Sequence, residues 1–421
     1  MKQYPFPQSR FWSAAFGLVL FALLLLTRDT LISSLRLGFY PSQFAMLAVM
    51  ALTGLTFLTV HRHHLREIFT DRRMVLMAIP LGLYLLIMLL KRDWQMMYLS
   101  VAVCPVFAVF LTYFTDSRRV AKTYLVIIMV LSAYSLLATY GLRHLVWGDV
   151  FKPKIWINPA GMWFYDFGLC FTGTEPYWHR NFGLFREPGV YQYFLILGLY
   201  LNHYTAAWDK PWKTWVISAI LTLTMVSTFS VPGVIELVVF AAFLFFDKGY
   251  HRTKQGRRTL LALLAGLAGV VLVVLYLLKT KRILYGNSIL FEFGDIVTRL
   301  TTDSESLVDR INAYFTDLRF FAQYPLLGAN FHPVLHGTNH NTTSTLVLFA
   351  ATGIFGGGLS VAVWVKMLWD KNRSLFGNLI LLGILFLSFN TQNLAANLFF
   401  WLFPCMAFAQ QVLSKQSKEE G

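Results

Sequence analysis

Run after run of this chain is apolar for long enough to cross a lipid bilayer, and nothing else in the sequence constrains the fold as strongly. A spanning helix needs roughly 20 mostly apolar residues, because the bilayer core offers backbone amides no water to bond. Runs that meet or approach this length lie near 11–27, 43–60, 74–90, 97–114, 123–142, 190–207, 214–230, 232–246, 259–278, 344–365, 375–389 and 394–409. Composition agrees: 56% of the 421 residues are hydrophobic and 14% are charged, where a soluble domain carries about 25%. The first run is not followed by a small-x-small cleavage site, so it reads as a span rather than a signal peptide. Cys104, Cys170 and Cys405 show neither metal-ligand spacing nor a disulfide framework. The sequence therefore predicts an all-α polytopic membrane protein, one domain over 1–421, with about twelve transmembrane helices. Soluble enzymes, disordered tails and disulfide scaffolds are set aside.

Charge fixes the orientation. A formal net charge of +15 on a soluble chain would point to nucleic acid; on one this apolar it points to basic loops beside anionic lipid, and nucleic acid is excluded. With the N-terminus inside, the larger share of the 36 Lys and Arg falls in the short inner segments, including the hairpin at 247–258. The positive-inside rule then places both termini in the cytoplasm. Two long loops, 143–189 and 279–343, fall on the outer side, and loops of that length in a compact protein usually carry function. No matched pair of broken spans marks an inverted-repeat transporter.

The second loop contains a helix signal. Thr302 and Glu305 are spaced as a capping box. Leu307, Ile311, Tyr314, Leu318 and Phe321 recur at helical spacing, and Pro325 ends the run. This predicts an amphipathic helix on the membrane face or over the bundle mouth, with Arg310 and Asp317 flanking its apolar stripe. Spacing alone leaves those charges either solvated or functional.

The first loop ends in His179-Arg180-Asn181-Phe182-Gly183-Leu184-Phe185-Arg186-Glu187-Pro188-Gly189. A carboxylate and a proline at this point suit a helix N-terminus, so one reading is a cap with an interfacial anchor. The other is that Arg180 and Arg186 present cationic forks to a phosphate or diphosphate. His332, His336 and His340 recur every fourth residue, but the run crosses Pro333 and Gly337, so no metal site is expected there. A single histidine such as His340 can serve as a general base near neutral pH or as a structural hydrogen bonder. Glu236 lies inside a span and must face the bundle interior or a wet cavity.

These elements resemble the O-antigen polymerase and O-antigen ligase superfamily of bacterial inner membranes. The resemblance rests on about twelve spans with a large outer loop before the last few. It rests also on Arg310, Tyr314 and Phe320 leading to Pro325-Leu326-x-Gly328, and on His340-Asn341 leading to Gly353-Ile354-Phe355-Gly356. Arg186-Glu187-Pro188-Gly189 at a span entrance is similar to polymerase-type members. The turn Ser230-Val231-Pro232-Gly233 lacks the arginine that the family often places there. The resemblance implies a GT-C-like fold in the inner membrane and a metal-independent, cofactor-free glycosyl transfer at the periplasmic face. The donor would be an undecaprenyl-diphosphate-linked oligosaccharide. Arg186 and Arg310 would contact the diphosphate, with Arg180 and Arg319 beside them. Either Glu187 or His340 would be the base, while Tyr314 and Asn341 orient sugar or phosphate. Membrane lipids and a chain-length regulator protein are the implied partners. A polymerase is the leading expectation, an O-antigen ligase transferring polysaccharide to lipid A–core the second. A lipid-oligosaccharide transporter or flippase is the alternative from another class.

Overall fold

The computed structural model describes residues 10–114, 117–147, 152–158, 161–174, 180–205, 207–247, 254, 258, 305–336, 343–371, 373–390 and 392–419. The chain is predominantly helical. In order, α1 is Arg10–Leu26, α2 Phe39–Val60, α3 Leu65–Thr70, α4 Arg72–Lys91, α5 Met96–Phe114, α6 Ser117–Leu137 and α7 Arg143–Trp147. Then come α8 Pro188–Tyr204, α9 Pro211–Ser227, α10 Val231–Asp247, α11 Glu305–Gln323 and α12 Phe331–His336. The last four are α13 Thr345–Gly353, α14 Leu359–Leu368, α15 Leu375–Asn390 and α16 Leu398–Glu419. Among the described residues, five helical stretches are long and apolar enough to cross a membrane: Phe39–Val60, Arg72–Lys91, Met96–Tyr113, Arg118–Val146 and Thr345–Leu368. Shorter apolar helices cover Phe11–Leu26, Leu375–Asn390 and Leu398–Phe408. The expected span at 259–278, and the loop from 279 to 304 with Thr302, lie outside the described residues.

Hydrogen bonds sort the helix ends into two sets. At one end, Leu31 N donates to Leu184 O (2.9 Å) and Asn181 N to Ser227 O (2.9 Å). There too, Asn397 Nδ2 donates to Asp29 Oδ2 (2.7 Å). At the other, Arg118 meets Asp209 (2.7 Å) and Arg373 meets Asp247 (3.5 Å). The loops alternate between these ends, so successive long helices run antiparallel. Helix α8 is the central post, buried without interruption from Pro188 to Asn202. By contrast α2 and α4 turn Phe44, Leu52, Leu55, Leu86 and Leu90 outward. Apolar residues on the outer surface as well as inside are what a bundle immersed in lipid requires.

Three features add to the sequence reading. The first long loop carries strands that the sequence does not announce. It holds an antiparallel sheet of β1 Lys154–Ile157, β2 Trp163–Asp166 and β3 Phe171–Gly173, in the order β1-β2-β3, with Trp156 opposite Phe164. The bundle is all-α as expected, with this small sheet added at one end. Strands this short, rich in aromatic and β-branched residues, carry too few alternations to stand out beside the long apolar runs. The sheet is clamped by Arg36, which donates to both carboxylate oxygens of Asp166 and to Gly168 O, while Trp156 Nε1 donates to Asp166 at 2.8 Å. We refer to this side of the bundle as the sheet end. In addition, the helix begun by α6 continues through a π-helical turn, Ala138–Leu142, into α7, past the expected boundary at 142.

The third is a local interruption of helix geometry within the expected 344–365 span, which the structure has at Thr345–Leu368. Gly353 has φ +64° and ends α13; a π-helical turn, Ile354–Gly358, then leads into α14. The break exists because another segment fills it. Ala329 N donates to Ala350 O (2.7 Å), Asn330 N to Ala351 O (3.0 Å) and Ile354 N to Pro325 O (2.8 Å). A Cβ on Gly328 would lie 2.2 Å from the backbone of Ala351, and one on Gly353 would lie 2.2 Å from Leu326 O. Both positions also have positive φ, so only glycine fits without strain. Pro325-Leu-Leu-Gly328 and Gly353-Ile-Phe-Gly356 are thus two halves of one backbone-to-backbone joint.

Candidate functional site

The site is built from the segment that enters α8. Residues 180–187 are laced to three other parts of the chain, with Phe171 N donating to Gly183 O (2.7 Å) and Arg186 N to Asp29 O (3.0 Å). Asn181, fully buried, donates through Nδ2 to Ser135 Oγ and Ser227 Oγ, both at 3.0 Å, and accepts from Gly183 N. This fixes the backbone that aims Arg186 and Glu187, so neither side chain depends on a mobile loop for its position.

Glu187 occupies the N-cap position of α8, with φ −144°, ψ 147° and Pro188 behind it. Its side chain makes no capping bond. It accepts instead from Gln392 Nε2 at 2.9 Å, across 205 positions of sequence. The simple cap is therefore corrected: backbone shape fits a cap, but the carboxylate is turned toward the 392–397 hairpin. Gly189 permits this approach, because a Cβ there would come within 2.6 Å of Gln392 Nε2. Gln392 O in turn accepts from Ser344 Oγ (2.6 Å), which itself accepts from Leu394 N (2.7 Å).

Arg186 stands beside Glu187. Its Nε lies 3.4 Å from Asp29 Oδ1, and its NH1 lies 4.0 Å from Glu187 Oε1. Asp29 is fully buried, whereas the Arg186 and Glu187 side chains keep 31% and 41% of their surface. Asp29 is held from behind by Asn397. Arg28 completes the group: its guanidinium donates to Met97 Sδ (3.2 Å) and lies over the Phe39 ring at 5.3 Å. Burial lowers the Arg28 pKa from its ordinary value; Asp29 pulls it back up and the neighbouring Arg186 charge pushes it down further. Two guanidiniums thus press on each other around one buried carboxylate, with soft sulfur and ring contacts on one of them. Such an arrangement favours an added anion, which would relieve that repulsion.

Other expected residues are placed differently. Arg180 is half-buried and donates through Nε to Thr228 O (3.3 Å) at the C-terminal end of α9, which ties it to that cap. Tyr314 donates its hydroxyl to Asn390 O at 2.5 Å, a tie between α11 and the end of α15. Arg319 is exposed. The Arg310 position lies on α11 one turn before Tyr314, its side chain outside the described residues. His340 and Asn341 also lie outside the described residues. The structure brings Arg186 and Glu187 together; it does not place Arg319 with them.

Helix α11 packs against α13 and is tied to the end of α15, and its apolar stripe is split between two sides. Ile311 and Leu318 are exposed, together with Val308 and Phe315, while the face turned to the bundle carries Ala313, Tyr314, Asp317 and Phe321, the last edge-on to Phe349. Spacing tells which residues share a face; it does not tell which face the bundle takes. Asp317 is not a solvated charge. It is 1% exposed and accepts from Thr343 Oγ1 at 2.6 Å, and burial pushes its carboxyl up to about 6 while Thr343 pulls it the other way.

The sequence reading missed Arg28, Asp29, Gln392 and Asn397. Only spacing relative to span ends could have drawn attention to them, since Arg28-Asp29 follows the first apolar run and Gln392-Asn393 separates the last two. Glu236 is fully buried, as expected, and its partners are now named: Gln192 Nε2 at 3.4 Å and the Ser388 hydroxyl. No family model matches the chain, and no curated protein is similar enough to count as a relative.

Proposed function

We propose that this chain is a membrane glycosyltransferase of the O-antigen polymerase type. In this reading about twelve helices span the bacterial inner membrane, both termini are cytoplasmic and the sheet end faces the periplasm. The enzyme joins undecaprenyl-diphosphate-linked oligosaccharide repeat units into O-antigen or a related surface polysaccharide. The observation that carries the reading is an accessible arginine beside an accessible carboxylate at the head of the central helix. Both are braced from below, Arg186 by Asp29 and Glu187 by Gln392.

The chemistry assigns each group a task. The acceptor hydroxyl oxygen attacks the anomeric carbon as that carbon's bond to the diphosphate oxygen breaks. Glu187 takes the hydroxyl proton, and the lipid diphosphate leaves with the electron pair. Arg186, with Arg28 behind it and Arg310 from α11, stabilises the charge that grows on the leaving group. His340 is the alternative base. Diphosphate recognition also gives a reason for arginines on the side where topology disfavours them.

Purified full-length protein in liposomes, given lipid-linked oligosaccharide, should lengthen the chains. Transfer of a finished chain to a lipid A–core acceptor without lengthening would make it a ligase instead. Glu236, buried beside Gln192 in the bundle interior, is the feature that favours a transporter. Transbilayer movement of the lipid oligosaccharide with no covalent product would decide for that reading.

A further inference from the structure

The end of the bundle opposite the sheet contains a cavity about 660 Å³ in volume, lined by neither Arg186 nor Glu187. Its rim is cationic: Arg72 at the start of α4, Lys366 in the last turn of α14, and Lys371 in the turn that follows, with Asp370 the single carboxylate. Its wall is apolar, formed by Val361, Ala362 and Val365 on α14 and by Phe408 on α16. From Gly358 to Lys366 this wall runs about 12 Å along the helix, so the rim opens onto a slot that follows the apolar flank of the bundle.

The rim is not explained by helix stability alone. Lys366 suits a helix C-terminus, but Arg72 is the first residue of a helix, where the macrodipole disfavours a cation. Nor does Arg72 serve the local cap, since Asp71 accepts from Arg73 N (2.8 Å) and pairs with the Arg73 side chain (3.1 Å). Topology asks for cations at this end; it does not ask that three of them rim one slot. A soluble anion would use the rim and leave the apolar wall idle. An anionic lipid uses both, with its phosphodiester among the cations and an acyl chain along Val361, Val365 and Phe408.

We propose that this slot is a binding site for an anionic phospholipid of the surrounding leaflet, such as phosphatidylglycerol. Basic pockets between membrane helices on the cytoplasmic side bind such headgroups. The proposal requires only that the bundle lie in a membrane, so it stands or falls separately from glycosyl transfer.

The test uses full-length protein in an uncharged detergent, with bound lipid counted by native mass spectrometry and thermal unfolding followed in parallel. Phosphatidylglycerol should be retained and should raise the unfolding temperature, whereas phosphatidylcholine and glycerol 3-phosphate should do neither. Each surface cation contributes about fivefold to affinity for anionic lipid, so the triple variant Arg72→Gln, Lys366→Gln, Lys371→Gln should bind at least ~10-fold more weakly. Ala362→Trp, which fills the slot and keeps the charges, should also lower retention, while Arg62→Gln with Arg66→Gln should not. Equal effects of phosphatidylcholine would overturn the proposal, and equal effects of glycerol 3-phosphate would reduce the site to one for free anions. Wild-type retention in the triple variant would place the lipid elsewhere. The lipid comparison is made on the unaltered chain and decides the matter even where a variant does not fold.

Discussion

Arginine stands beside carboxylate at both ends of this bundle, in opposite company. At the end opposite the sheet, Arg73 is 2% exposed and grips both oxygens of Asp71, at 3.1 and 3.2 Å. It also donates to Thr112 (3.3 Å) and lies over the Tyr113 ring at 4.2 Å. At the sheet end Arg186 has a looser 3.4 Å approach to Asp29 and keeps 31% of its surface. The first arginine commits all three of its nitrogens to its own fold. The second is held by charge, yet keeps about a third of its side-chain surface open. A cation that is paired and sealed is structural; one that is braced and open can receive a ligand.

Exchanging each arginine for alanine should separate the two cases. Arg186→Ala is expected to lower polymer formation by about 10²–10³-fold, the scale for removing a donor aimed at developing charge. The protein should still insert, and it should lose less stability than Arg73→Ala because Asn397 and Arg28 remain beside Asp29. Arg186→Lys should recover only part, because an ammonium lacks the planar fork. Arg310→Ala should behave like Arg186→Ala. Arg73→Ala should do the reverse, destabilising by roughly 3–5 kcal/mol as a broken buried pair while the surviving molecules polymerise at the normal rate. Polymer length per inserted molecule, with thermal unfolding alongside, reads both. Normal chains from Arg186→Ala would dissolve the comparison.

Glu187→Gln should cost about 10²-fold, at the low end for loss of a general base, without loss of lipid-diphosphate binding. If rate is unchanged but binding falls, Glu187 positions the donor and His340 becomes the base. Gln392→Ala should have a smaller effect, about tenfold, because a side chain set by a partner's hydrogen bond loses orientation and not its chemistry. Its signature is a fall in kcat with KM little changed, together with a shift in the pH dependence of the rate. A variant with the wild-type pH profile would show that the Gln392 bond only steadies the fold.

The contrast also explains what could be read in advance. Long apolar runs made the helical, membrane-type character plain, and Arg186-Glu187 at the head of a span was visible because Pro188 marks a helix start. What holds those two residues was not visible. Asp29 and Asn397 come from opposite ends of the chain, and no local pattern links residues 368 positions apart. The Pro325–Gly328 and Gly353–Gly356 motifs were legible as motifs, but their meaning as one joint needed the backbone contact. Spacing leaves Asp317 either solvated or functional, because periodicity cannot say which face of α11 turns inward.

Asp317 tests that last point with the gentlest perturbation. Its carboxyl is raised to about 6 by burial, whereas an unfolded aspartate titrates near about 3.9. Between these values the folded state binds the proton more readily than the unfolded state, so stability should fall as pH rises from about 4 to about 6 and level off above. The group sits on α11 and bonds Thr343 just ahead of α13, so the loss should be local to that contact. Amide exchange in α11 should quicken across this window while exchange in α8 does not. Asp317→Asn keeps an acceptor for Thr343 without the charge, and should flatten the pH dependence. A variant that still shows it would assign the titration to another group and return Asp317 to a passive place in the joint.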